Sequence, residues 1–399
     1  MDSDGVLSPP GWETDKRRLD GRVHKWFLHS AVKALLPDHL AAACCSSVLA
    51  PERRGVVGVE VWKSTKHGTA HYGNLFTCGY VWSCPICAPK VAARRAAEVE
   101  QAITNHQRAG GRVMLLTLTV PHYVSDDLGE LLPSFTKALS SFWSRRAVKS
   151  ALAGVGFLGS IRALEVTHGG NGWHPHTHYL LFVDGDAEVL DVSGDLYDQW
   201  ERVVAQYLGR QINGHGFTLL RVGGGAQEGG TYEDAAQLSR YVVKSLEESV
   251  WGIAQEISKG HIKNGREGGR TPFALLNDYA TDGDKRAGAL FVEFVRQFHD
   301  RRQLSWSKGL RKKLLDQDQE ATDQELAEQI QEEATLLGTL TLEQWRRVLA
   351  ARRKDTRGLL LEVAAAGGWS AVLTFLETVG SEVRRPVADE RSTPKAGAV

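Results

Sequence analysis

Five cysteines in 399 residues are too few for a disulfide framework, so a reducing compartment, the cytoplasm, is the expected setting. Net charge is missing as well: 48 Lys and Arg balance 48 Asp and Glu. A zero sum argues at first sight against a polyanionic partner. No uninterrupted apolar run reaches the ~18–20 residues that span a bilayer. The best stretches, Leu40–Ala50 and Leu359–Leu376, are broken by small, polar or acidic residues. The first eighteen residues are polar, contain Pro9 and Pro10, and lack the apolar centre of a signal peptide, so no membrane partner is expected. What is present, 42% apolar and 24% charged residues, is the composition of a globular chain long enough for two or three folding units.

The charges are unevenly placed. Arg301–Lys313 holds six cations, among them Lys308, Arg311 and Lys312, and no acid. Leu314–Glu333 follows with eight acids and no base, a pattern that reads as a solvated helix face. Lys259–Arg270 is a Gly-rich basic stretch, and Lys90, Arg94 and Arg95 share an Ala-rich helical pattern. Local cations of this kind can contact phosphate whatever the total, because counterion release depends on the residues that touch the backbone. Arg94, Arg95, Lys308, Arg311 and Lys312 are the expected DNA contacts.

Hydrophobic periodicity predicts strands at Val113–Val120, Gly159–Thr167 and Thr177–Val183, and helices at Leu128–Lys149, Leu190–Leu208 and Tyr232–Glu248. Thr341-Leu-Glu-Gln reads as a helix N-cap in a region, from about 270 onward, that looks mainly helical. The expected organisation is a helical leader (1–55), a cysteine-bearing subdomain with a basic helix (56–110), an α+β domain (111–260), a mainly helical region (261–382) and a disordered tail (383–399).

The most informative segment is Ile161–Phe182, IRALEVTHGGNGWHPHTHYLLF. Asn171-Gly172 is a two-residue hairpin signal, since both residues tolerate positive φ. A turn centred there pairs Thr167 with His176 and Glu165 with His178. Opposed residues share a face of an antiparallel pair, as do residues two apart on one strand. His176, His178 and Glu165 therefore project together as two imidazoles and a carboxylate, a facial metal site with open positions. A lone histidine would more often be a satisfied core residue. His174 and His168 fall on or beside the turn and are minor candidates. In Cys78-x5-Cys84-Pro-Ile-Cys87 the C-x-x-C spacing suits two thiolates on one Zn²⁺. A fourth ligand is needed, and Cys44, Cys45, His67 and His71 are all available. Further along, Lys244 stands three residues beyond Tyr241 and shares its helix face with Gln237 and Asp234. A neighbouring cation can stabilise a phenolate, although most Tyr-x-x-Lys pairs are a half-buried Tyr beside a snorkelling Lys.

The strand ending in MLLTLTVPH, the HPHTH hairpin and the downstream YVVKS occur in the order of the three motifs of HUH endonucleases. With CGYVWSCPICAPK upstream and WSKGLRKKL and TDQELA downstream, the chain resembles plasmid rolling-circle replication initiators across roughly residues 45–330. That resemblance implies an HUH core, an antiparallel sheet flanked by helices, with an upstream zinc subdomain and a C-terminal helical region. It assigns His176 and His178 to a Mn²⁺ or Mg²⁺ site, with Glu165 as third ligand in agreement with the hairpin. Tyr241 becomes the nucleophile that forms a 5′-phosphotyrosine, Lys244 the lysine of the third motif, and Cys45 the favoured partner of Cys78, Cys84 and Cys87 on Zn²⁺. Some relatives carry a Glu where this chain has Gln237, and Asp234 is the nearest carboxylate that could stand in. The implied partners are single-stranded or hairpin plasmid origin DNA and a host helicase and DNA polymerase. An HUH transposase or mobilisation relaxase fits the same motifs. A non-catalytic zinc-dependent DNA-binding regulator fits the cysteines.

Overall fold

Apolar residues at every second position, or in short β-branched runs, build the strands here, and Ala-, Leu- and Phe-rich stretches with a period near 3.6 build the helices. The computed structural model describes residues 16–36, 45, 48, 58–222, 239, 269–328 and 333–381. In chain order they form α1 (Lys16–Leu35), β1 (Gly58–Ser64), β2 (Ala70–Gly73), α2 (Cys87–Arg108), β3 (Arg112–Thr119), α3 (Leu128–Ser144), α4 (Arg146–Gly154), β4 (Gly159–Gly169), β5 (Gly172–Val183), α5 (Leu190–Leu208) and β6 (Phe217–Val222). There follow α6 (Pro272–Asp282), α7 (Lys285–Phe298), β7 (Leu304–Trp306), α8 (Leu310–Leu315), α9 (Asp323–Glu328), β8 (Ala334–Thr341), α10 (Leu342–Ala350) and α11 (Thr356–Ser381). The class is α+β with antiparallel sheets, as expected. The chain divides into two compact units, one drawn from residues 28–46 and 77–330, the other from 1–27, 47–76 and 331–399.

The larger unit is organised by a five-stranded sheet of order β6-β3-β5-β4-β7, in which every neighbouring pair is antiparallel. β5 is central, so both its neighbours can present side chains beside its own. On one face Tyr179 meets Trp143 of α3, with ring centroids 4.8 Å apart. Behind it Phe135 and Phe142 of α3 lie edge-on to Trp200 of α5. All three are fully buried, and each contributes on the order of 2 kcal/mol by leaving water. On the other face Phe182 packs against His106 of α2. The buried residues of α2 (Val91, Ala92, Arg95, Ala96, Val99, Ala102 and Ile103) recur at helical spacing.

Three expectations are corrected here. The helix read over Leu128–Lys149 is two helices, because Arg145 takes an extended conformation (φ −63°, ψ 135°) as the last cap of α3 and the first of α4. Its guanidinium reaches Gln199 and Gln206. No Pro or Gly marks that break, so local sequence does not show it. The region after 270 is not only helical: Leu304–Trp306 adds an edge strand to β4, and Ala334–Thr341 pairs along β1. β8 meets its partner across more than 250 residues of chain, a pairing that a local window cannot register. The third correction, the hairpin register, belongs with the site below.

The smaller unit has the sheet β2-β1-β8. α10 opens with the expected cap, a reciprocal box in which Thr341 Oγ1 accepts from the Gln344 N–H and Gln344 Oε1 accepts from the Thr341 N–H. Trp26, Tyr72 and Trp345 stack edge to face, and Arg357 lies over Trp26. Gly338 of β8 admits the Trp369 ring, which a Cβ would strike at 2.3 Å. Within α11, Thr356–Val379 is long and apolar enough by composition to cross a membrane, with mean hydropathy 1.7. The same helix carries buried Glu362, ion-paired to Arg22 at 2.8 Å, and accepts a hydrogen bond from Lys63 Nζ at the Ala365 carbonyl.

Candidate metal centres and their surroundings

The β4–β5 turn is tighter by one position than the Asn-Gly signal suggested. Gly169 pairs with Gly172, so Gly170 and Asn171 occupy the corner, and the positive φ (87°) falls on Gly172. The actual partners are Glu165 with His176, Thr167 with His174 and Ala163 with His178, two residues away from the expected register. A slip of two preserves the face, whereas a slip of one would have inverted it. Glu165, His176 and His178 therefore still converge. A Cβ at Gly172 would lie 2.7 Å from the Tyr123 carbonyl oxygen, so the chain crossing there also excludes a side chain.

Glu165 Oε2 lies 3.0 Å from His176 Nε2 and 3.7 Å from His178 Nε2. The three side chains are 12%, 14% and 6% exposed. The other ring nitrogens are occupied: His178 Nδ1 is 2.8 Å from Thr117 Oγ1, and His176 Nδ1 is 3.1 Å from the His174 carbonyl. Holding Nδ1 in this way directs both Nε2 atoms toward the same point. Burial opposes ionisation of Glu165, but the His178 charge and the hydrogen bond with His176 outweigh it and hold the carboxyl well below its usual range. For His176, burial acts to lower the pKa and the bond to Glu165 raises it, with a net upward shift. Glu165 Oε1 is buried and has no hydrogen-bond partner. An orphaned carboxylate oxygen beside two converging imidazole nitrogens is the donor set a divalent cation would satisfy, and the residues fit one.

His174 is not on the turn. It lies on β5 and continues the row, stacked on His176 at 4.9 Å and on His122 at 4.6 Å. Its Nε2 is 2.6 Å from Thr119 Oγ1. Burial, then the neighbouring His176 and His122, lower its pKa to about 3, so it stands as a neutral spacer. The roles of Thr117 and Thr119 were not read from the sequence. Their alternation in LTLTVPH was the available signal, since it places both on the face of β3 that opposes His178 and His176.

The second cluster is closed. Cys45, Cys78, Cys84 and Cys87 are all buried, and their sulfurs lie within 4.8 Å of one another. Cys45 Sγ is 3.4 Å from Cys78 Sγ and 3.0 Å from Cys87 Sγ, and Cys78 and Cys87 are 3.7 Å apart. A tetrahedral zinc with Zn–S near 2.3 Å separates its sulfurs by about 3.8 Å, so the donors are close to that arrangement with none spare. All four cysteines are free. Hydrogen bonds from Cys78, Cys84 and Cys87 pull the Cys45 thiol down, while burial pushes Cys84 up. Cys44 lies outside the described residues.

Two of the expected DNA contacts are structural instead. Arg95, 7% exposed, pairs with Glu320 at 2.7 Å and Asp323 at 3.2 Å. Arg311, 8% exposed, holds both carboxylate oxygens of Glu98 and lies over the Trp306 ring. The acidic block is thus not merely solvated: it neutralises basic side chains of its own unit, which is what the zero net charge reflects. Lys308 and Lys312 are exposed, Lys312 with Asp316 at 2.8 Å, and Arg94 is half-buried on α2. Tyr241, Lys244, Asp234 and Gln237, with most of Lys259–Arg270, lie outside the described residues.

Known proteins agree with the motif order. Residues 76–187, which hold the C-x-x-C knuckle, β3 and the whole β4–β5 hairpin, match the replication-protein family Rep_1. The chain is 28% identical over 310 residues to Protein rep of Streptomyces lividans, covering 63% of this chain and 66% of that one. It is 31% identical over 176 residues to the Neomycin resistance protein of Streptomyces cyanogenus, covering 35% of this chain and 40% of the relative. The chain thus spans less than two thirds of the length of either relative. No solved structure matches it. Together the matches support a plasmid replication protein.

Proposed function

We propose that the chain is an HUH replication initiator that nicks one strand of a plasmid origin, with residues 111–260 as its catalytic part. The observation that carries this reading is the convergence of Glu165, His176 and His178 on one face of the central hairpin, with Glu165 Oε1 left unsatisfied. A divalent cation bound there, Mn²⁺ or Mg²⁺, supplies Lewis-acid polarisation of a phosphate oxygen. Thr117 and the His174 carbonyl fix the imidazole orientations, so the donors need no rearrangement to receive it. The Tyr241 oxygen forms a bond to phosphorus as the bond from phosphorus to O3′ breaks. The products are a 5′-phosphotyrosine and a free 3′-OH that primes leading-strand synthesis by a host polymerase, behind a host helicase. Lys244 assists the phenolate, Asp234 is the carboxylate for a later step, and Arg94, Lys308 and Lys312 contact DNA phosphates. Zn²⁺ on Cys45, Cys78, Cys84 and Cys87 is structural.

The test is a denaturing gel after incubation with single-stranded origin DNA and Mn²⁺. A covalent protein–DNA band that disappears in Tyr241→Phe is expected. Its absence across metals and origin sequences would leave the regulator reading, and a band on transposon-end or transfer-origin DNA alone would favour a transposase or relaxase.

A further inference from the structure

Tyr123 and Val124 are consecutive large apolar residues that are 56% and 66% exposed, the one such adjacent pair among the described residues. They lie between β3 and α3, where exposed apolar side chains gain nothing from folding. The segment is nevertheless tightly fixed. The Tyr123 N–H donates to Asp126 Oδ2 at 2.8 Å, and the Asp126 N–H donates back to the Tyr123 carbonyl at 2.9 Å. Arg210 grips Asp126 with both terminal nitrogens, at 2.7 and 2.8 Å, and donates to the Pro121 carbonyl at 2.7 Å. Its guanidinium sits 4.8 Å from the centre of the Tyr123 ring. The missing side chain of Gly172 lets this segment rest on the β4–β5 turn.

The result is an ordered aromatic ring with a cation behind one face and solvent in front of the other. Such a ring is a preformed stacking platform, because the entropy of ordering it is already spent before a ligand arrives. Its position selects the ligand. His122, the preceding residue, begins the stacked row His122–His174–His176 that ends on the candidate metal donors. Along β5, Gly172 is four residues from His176, or about 13 Å.

We propose that Tyr123, flanked by Val124 and backed by Arg210, stacks an unpaired nucleobase of single-stranded DNA a few nucleotides from the phosphate held at Glu165, His176 and His178. This rests on the nicking function proposed above, and its test needs neither metal nor cleavage. Fluorescence anisotropy of the full chain without added metal would use an oligothymidylate of about 20 nucleotides and an abasic strand of equal length. Tyr123→Ala is expected to weaken oligothymidylate binding about 10-fold, the usual loss for one stacked base. Tyr123→Trp should restore it, and the abasic strand should bind the wild type and Tyr123→Ala alike. Equal oligothymidylate affinity for the wild type and Tyr123→Ala overturns the proposal. So does an equal loss on the abasic strand, or a Trp variant as weak as the Ala variant. Loss of the nicking function would show separately, as a covalent band that persists in Tyr241→Phe or never forms, with the anisotropy result unaffected.

Discussion

The two candidate metal centres of the larger unit are opposites. The cysteine cluster is closed: four buried thiols face one another and nothing else fits among them. The Glu165 centre is open: three donors share one face, a carboxylate oxygen is unsatisfied, and Thr117 and the His174 carbonyl hold the imidazoles from behind. A complete four-donor shell gives its binding energy to folding. A three-donor face with an oriented surround keeps positions for a substrate. The comparison assigns scaffolding to the first centre and chemistry to the second, and each assignment can be broken.

The largest effect is expected from Cys84→Ser. Free energy of about 10 kcal/mol or more from a structural zinc site rivals the whole stability of a domain. The variant should lose stoichiometric zinc by metal analysis and its folded circular-dichroism spectrum. A folded, zinc-free protein with unchanged Tm would end the structural assignment. His178→Ala comes next. It should keep the fold, at a stability cost of about 1–3 kcal/mol for the Thr117 hydroxyl left unpaired, while covalent adduct formation falls about 100-fold or more. A variant that unfolds like Cys84→Ser would show that the two centres are alike. Thr117→Val touches only the support of His178 and should weaken Mn²⁺ binding by roughly 10- to 100-fold in calorimetric titration. Unchanged affinity would mean that the hydroxyl does not orient the ring. The smallest effect is thermal: Mn²⁺ at ten times its Kd should stabilise the wild type by only about 1.4 kcal/mol, seen as a modest rise in Tm that is absent in His178→Ala.

How far these centres could be read in advance depends on how local their geometry is. Glu165, His176 and His178 lie on one hairpin, where the two-residue period of a strand fixes the face even though the turn was misplaced by one position. Cys84 and Cys87 announce themselves by spacing. Thr117 and Thr119 reach the site only because β3 pairs with β5, some sixty residues away. Arg95 and Arg311 read as phosphate contacts because a sequence shows charge but not burial. Their partners Glu320 and Glu98 lie more than 200 residues off, and folding turns an apparent basic surface into internal ion pairs.

By itself, the sequence determined the α+β class, the paired donors of the hairpin, the cysteine knuckle, the Thr341 cap and the motif order shared with replication proteins. All of these follow from short-range periodicity, spacing and side-chain chemistry. Tertiary structure alone decided that Cys45 completes the cysteine cluster, that β8 pairs with β1, that acids and bases neutralise each other inside one unit, and that Tyr123 is held out beside the hairpin. Each of those depends on contacts between segments distant in the chain, whose side chains carry no record of which partner will desolvate or orient them.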